Sequence, residues 1–145
     1  MVPEPNLSVM TPPADLTPQQ AWERLGSDPH AVLVDVRTRA EWSFVGLPDL
    51  TALGKQVIPI EWTTFPEGAP NHAFLDELRA SVPTEAPVLF LCRSGARSAA
   101  AQVAAAAAGY AEAINVREGF EGELDARGHR AVNGWKQAGL PWRQG

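Results

Sequence analysis

The chain has 145 residues, 45% of them hydrophobic and 20% charged, with a formal net charge of -5. That length and balance suit one folded core and exclude a disordered or fibrous class. Its twelve lysines and arginines form no basic stripe, which argues against nucleic acid as a partner. No stretch approaches the roughly 18 apolar residues of a membrane helix, so no membrane partner is expected.

The first fourteen residues are rich in proline and read as a flexible arm, with 15–145 as one domain: a core over 15–122 and a C-terminal extension over 123–145. The opening "MVPEPNLSVMTPPAD" has acid and proline where a secretory leader has basic and then apolar residues. A lone cysteine cannot form an intramolecular disulfide. Both features suit the cytoplasm.

Order begins at Thr17-Pro18-Gln19-Gln20, a capping box with proline at the first helical position, and this helix is expected to end near Gly26. "AVLVDV" (31–36) is a continuous apolar run suited to a strand buried on both faces of a parallel sheet. Thr38-Arg39-Ala40-Glu41 is a second capping box. Glycine and proline interrupt 46–70, leaving one expected strand at 55–60. "NHAFLDELRAS" (71–81) places Phe74, Leu75 and Leu78 on one helical face, with Asn71 as its cap. "APVLFLC" (86–92) is the most strand-like run. A helix of small residues follows at 98–110, then a strand "AINV" (113–116) and a final helix over 129–144. Strands alternating with helices predict an α/β fold, a three-layer α/β/α sandwich with a central, mainly parallel sheet.

The chemistry concentrates in "CRSGARS" (92–98), at a predicted strand-to-helix turn, where ligands bind in open α/β sheets. Backbone N–H groups in such a turn converge into a nest, and the helix N-terminus adds roughly half a positive charge. These donors, with Arg93 and Arg97 nearby, favour an exposed thiolate at Cys92, the reactive form of cysteine. Gly95 opens the turn, and the hydroxyls of Ser94 and Ser98 can hydrogen-bond whatever sits above the sulfur. His30, His72 and His129 lack ligand-like spacing with one another or with Cys92, so neither a metal nor another cofactor is expected. Trp62, Phe65 and Trp135 are read as core rather than as the lining of a mouth.

In "LVDVR" (33–37), "CRSGARS" and "NVREGFEG" (115–122) the sequence resembles the rhodanese family of single-domain sulfurtransferases, over about residues 14–122. The resemblance implies that Cys92 takes a sulfane sulfur from a small anionic donor such as thiosulfate, or from a persulfide. Cys92 then holds it as a persulfide within a ring of amides from Arg93, Ser94, Gly95, Ala96, Arg97 and Ser98, and passes it to a thiol, to cyanide or to a protein acceptor. It further implies supporting roles for Asp35 and Arg37, with Glu41, one helical turn on, as ion-pair partner of Arg37. The segment at 46–62 keeps "GLP" but lacks the family's usual histidine there. Two other readings stand beside this one: a cysteine-based phosphatase or arsenate reductase, and a non-catalytic rhodanese-like module that binds a partner. Four residues separate Cys92 from Arg97, against five in the phosphatases, and the tighter ring suits one added sulfur.

Overall fold

The computed structural model describes residues 14–64, 67–122 and 133–143. Strands β1 (Ala14–Leu16), β2 (Val32–Asp35), β4 (Ile58–Pro59), β5 (Val88–Leu91) and β6 (Ala113–Val116) form one sheet in the order β1-β6-β5-β2-β4. Every pairing in it is parallel. Helices α1 (Pro18–Ser27), α2 (Arg39–Phe44), α3 (Phe74–Ser81) and α4 (Ala96–Ala107) connect the strands. The sequence reading of a three-layer α/β/α fold describes this architecture.

Side-chain alternation assigns each strand residue to one of two cores. Val34, Val88 and Phe90 pack with Phe74 and Leu78 of α3 and Ala101 and Ala105 of α4. Leu33, Leu89, Leu91, Ile114 and Val116 face the opposite way, onto Ala21 and Leu25 of α1 and onto Trp135. The alanines of α4 allow a close approach to the sheet, as their small size leads one to expect. None of the helices among the described residues is long and apolar enough to cross a membrane.

Both capping boxes form. Thr17 accepts from the Gln20 N–H at 3.2 Å while the Gln20 side chain accepts from the Thr17 N–H at 2.9 Å, and Thr38 and Glu41 repeat the arrangement at α2.

Four expectations are corrected. Ala14 leaves the arm to pair with β6; residues 1–13 lie outside the described residues. The expected strand at 55–60 contracts to two residues, because only Ile58 and Pro59 register with β2. Asn71 does not cap α3: its carboxamide accepts from the Ala73 N–H and donates to the Glu61 carbonyl, holding a turn, and the helix starts at Phe74. The final helix is absent over the described part, 133–143; 129–132 and 144 lie outside it. There the Trp135 and Lys136 N–H groups bond the carbonyls of Gly119 and Phe120 instead of a helical turn, and β7 (Trp142–Arg143) pairs antiparallel with β3 (Leu47–Pro48). Full burial of Trp135 outweighed the helical propensity of its neighbours.

Candidate active site

The β5 strand lies at the centre of the sheet, and the chain leaves it at Cys92. The connection after β2 leads towards β4 on one side and the connection after β5 leads to β6 on the other. Their C-terminal ends therefore form a switch point, where an open α/β sheet binds its ligand. The sequence reading put "CRSGARS" at a strand-to-helix turn, and the structure places that turn at this end of the sheet.

Gly95 precedes the first residue of α4 with φ 112°, a left-handed conformation that residues with a Cβ avoid. This turn points the Gly95 N–H back at the Cys92 Sγ, 3.1 Å away. One turn into α4, Ser98 is fully buried with its Oγ 3.3 Å from the same sulfur and 2.5 Å from the Asn115 Oδ1. A hydroxyl has one proton, so the two contacts describe two states. With a thiol, S–H donates to Ser98, which donates to Asn115; with a thiolate, the Ser98 proton turns to the sulfur. Arg93 is exposed, and Ser94 and Ala96 shape the turn; among the described residues only Gly95 and Ser98 hydrogen-bond the sulfur.

The expected exposed sulfur is a buried one: Cys92 is 1% accessible and contributes to the core beneath α4. Alternation puts it on the same face as Phe90, and the loop folds over it. Its surroundings nonetheless keep the amide and hydroxyl directed at the sulfur.

Behind the loop, the turn at 117–122 acts as a brace. The Phe120 N–H donates to the Cys92 carbonyl at 2.8 Å, and the Glu121 N–H to the Arg93 carbonyl at 3.0 Å. The C-terminal segment supports this turn through the Trp135 and Lys136 bonds, and Trp142 meets Phe120 edge-on at 6.1 Å. Trp135 lies in the core, as expected, and Trp62 packs edge-on against Phe74; Phe65 lies outside the described residues.

The ion pairs differ from expectation. Arg37 pairs with Asp35 rather than Glu41: both are wholly buried, with Nη2 to Oδ2 at 2.6 Å, and Arg37 also donates to the Gly46 carbonyl and lies 4.3 Å over the Phe120 ring. It joins β2, β3 and the bracing turn. Arg37→Ala would leave the Asp35 charge buried and unpaired, an expected loss of about 3–5 kcal/mol. Thermal and urea unfolding check this, with a melting midpoint lower by roughly 10 °C or more.

Glu41 instead receives both guanidinium nitrogens of Arg97, at 2.7 and 2.9 Å. Spacing along one helix suggested Arg37, but the geometry of α2 against α4 decided for Arg97. Burial pushes the Glu41 carboxyl up, yet hydrogen bonds from Arg97 and Thr38 outweigh it and hold the group at about 2, below its usual 4.5. A depressed carboxyl stabilises the fold fully above its unfolded value and loses that contribution as pH falls through the folded one. The urea stabilities of wild type and Glu41→Gln should therefore differ by about 1–2 kcal/mol above pH 5, after allowance for partial exposure, and converge towards pH 2.

A cavity of about 580 Å³ opens beside the loop, lined by Thr38, Glu41, Phe44, Val45, Arg93 and Arg97 among others. A second, of about 640 Å³, lies at the N-terminal end of the sheet around Val32 and Pro87, with no cysteine in its lining. His30 lines that second cavity, at the end of the sheet opposite Cys92. Neither His30 nor His72 joins a metal-binding group among the described residues; His129 lies outside them. Sequence reasoning missed Asn115, whose signal was a polar residue inside an otherwise apolar strand, and Gly119 and Phe120, quoted as motif residues without a role.

Fold and loop together define a rhodanese-like domain. Residues 15–145 match the family model described as STR4 middle domain, and the chain belongs to that family. Among relatives, it is 39% identical over 126 residues to the uncharacterized protein RC0915 of Rickettsia conorii, covering 86% of this chain and 92% of that one. It is 29% identical to a protein named Sulfurtransferase from Allochromatium vinosum, covering 82% of this chain and 84% of that one. The crystal structure of Rv0390 from M. tuberculosis superposes with a TM-score of 0.86 at 56% identity, covering 93% of this chain and 100% of that one. A rhodanese-like domain from Anabaena shares the fold, at TM-score 0.58 and 18% identity over 92% of this chain and 80% of that one.

Proposed function

We propose that this protein is a sulfurtransferase that carries a sulfane sulfur on Cys92. The observation that carries this reading is the convergence of the Gly95 amide and the Ser98 hydroxyl on one sulfur at the end of the central strand. The name of the Allochromatium relative supports it. In the first step the Cys92 thiolate attacks the outer sulfur of the donor. The S–S bond of the donor breaks with its electron pair leaving on sulfite, from thiosulfate, or on a thiolate, from an organic persulfide. Cys92 is left as a persulfide. In the second step a thiol, cyanide or a protein thiolate attacks the outer sulfur, and the Cys92 thiolate departs.

The Gly95 N–H and the Ser98 hydroxyl stabilise that thiolate both as nucleophile and as leaving group. Arg93, Ser94, Ala96 and Arg97 complete the turn around the added sulfur. Asp35 and Arg37 hold the turn's base without touching the reacting atoms. No further cofactor is needed for this chemistry, and a cysteine kept as a thiol suits the cytoplasm. A phosphatase would need the Arg97 guanidinium for the phosphoryl oxygens, and here Glu41 occupies it.

Intact-mass measurement after incubation with a sulfane-sulfur donor tests the proposal. Wild type should gain the mass of one sulfur and lose it on addition of cyanide. Hydrolysis of an aryl phosphate with no such gain would point to the phosphatase class instead.

A further inference from the structure

The charges around the loop are matched. Arg97 is held bidentate by Glu41, Arg93 lies 3.8 Å from Glu121, and Arg37 is closed off by Asp35. Each of these three guanidiniums thus faces a carboxylate of its own, and Arg117, in the bracing turn, is exposed. Thiosulfate has two negative charges on a small body, and drawing Arg93 or Arg97 onto it would require that guanidinium to leave its carboxylate partner, or the dianion to sit beside Glu41 and Glu121. Both are unfavourable in a partly buried site.

The cavity beside the loop has a different character. Its volume of about 580 Å³ falls in the range that accommodates organic ligands rather than a five-atom oxyanion. Ala40, Val45 and Phe44 supply apolar walls, and Phe44, at the rim, is 79% exposed, unusual for a phenylalanine. Next to matched charge, this surface favours an apolar body with a weakly charged sulfur head.

We infer that the site selects sulfane-sulfur donors built on an apolar organic carrier with at most one negative charge, and that Glu41 sets this selectivity by neutralising Arg97. The inference rests on the sulfurtransferase reading above. Glu41 is a specificity-determining residue that acts through Arg97, and Phe44 contacts the carrier. With an organic thiosulfonate the atoms balance as before: Cys92 attacks the outer sulfur, the S–S bond breaks, and the electron pair leaves on the organic sulfinate.

Three donors separate charge from apolar contact: thiosulfate, methanethiosulfonate and benzenethiosulfonate. The rate of Cys92 loading by each, read by intact mass, is divided by that donor's rate with free cysteine, which removes intrinsic reactivity. For wild type the normalised order should be benzenethiosulfonate, then methanethiosulfonate, then thiosulfate, with about tenfold at each step. Glu41→Gln keeps a side chain able to complete the capping box. It should raise the ratio of thiosulfate to benzenethiosulfonate loading about tenfold. Phe44→Ser, at an exposed position that tolerates polarity, should lower the ratio of benzenethiosulfonate to methanethiosulfonate several-fold. A wild-type order led by thiosulfate overturns the inference. So does an unchanged thiosulfate ratio in Glu41→Gln, as far as Glu41 is concerned. If no donor loads Cys92, the sulfurtransferase reading itself fails, a result distinct from either.

Discussion

Cys92→Ser should lose sulfur transfer by at least about a thousandfold while keeping its fold. A serine hydroxyl can accept from the Gly95 N–H and donate to Ser98 as the protonated sulfur does, so the loop has the same anchors. It fails as a nucleophile because an unassisted hydroxyl is almost wholly protonated near neutral pH, and no general base among the described residues contacts it. The buried position makes the comparison clean, since a near-isosteric replacement leaves no large cavity in the core beneath α4. Intact mass should show no retained sulfur, and urea unfolding should agree with wild type to within about 1 kcal/mol. Transfer persisting in this variant would remove the covalent intermediate from the mechanism.

Gly119→Ala is expected to disable the site from behind. Gly119 sits at φ 66°, and a Cβ there would lie 2.6 Å from the Cys92 carbonyl oxygen and from the Arg93 carbonyl carbon and oxygen. These are backbone atoms of the Cys92 loop, and the adjacent Phe120 N–H holds the same Cys92 carbonyl. The chain cannot relieve the overlap by rotating a side chain, so the loop base must move. Left-handed strain alone costs about 1–2 kcal/mol, and displacement of a braced loop adds to it, for a total of roughly 2–4 kcal/mol. Activity should fall tenfold or more, because the Gly95 and Ser98 contacts to the sulfur depend on the same base. Gly109→Ala is the control: its φ is 106° but nothing lies within 4 Å of the added carbon. It should have a similar strain cost with loading rates unchanged. Equal activity in the two variants would show that the 117–122 turn does not position Cys92.

The contrast between these glycines marks where the sequence is informative. "CRSGARS" could be read directly because its meaning is local: an apolar strand ends, Gly95 permits a reversal, and a helix begins within seven residues. The capping boxes at Thr17 and Thr38 were legible for the same reason, each being complete within four residues. Asn71 misled because its side chain has more than one local partner, and the turn that links it to Glu61 needs a neighbour ten residues away in sequence.

The sequence by itself determined the alternation of strand and helix, and with it the parallel sheet, the position of Cys92 at the end of a strand, and the polar residues at the turn. Those follow from period-two and period-3.6 patterns and from capping, which short stretches encode. Only the tertiary structure decided that Glu41 holds Arg97 and Asp35 holds Arg37, that the sulfur is buried, and that the segment containing Trp135 braces the loop through Gly119 and Phe120. Pairing of Glu41 with Arg97 and burial of Trp135 depend on which elements pack against one another across 16 to 56 residues of chain, a distance at which local propensity carries no information. Asp35 and Arg37 are only two residues apart, but Arg37 turns to Asp35 rather than Glu41 because its guanidinium is enclosed by the Gly46 carbonyl and the Phe120 ring.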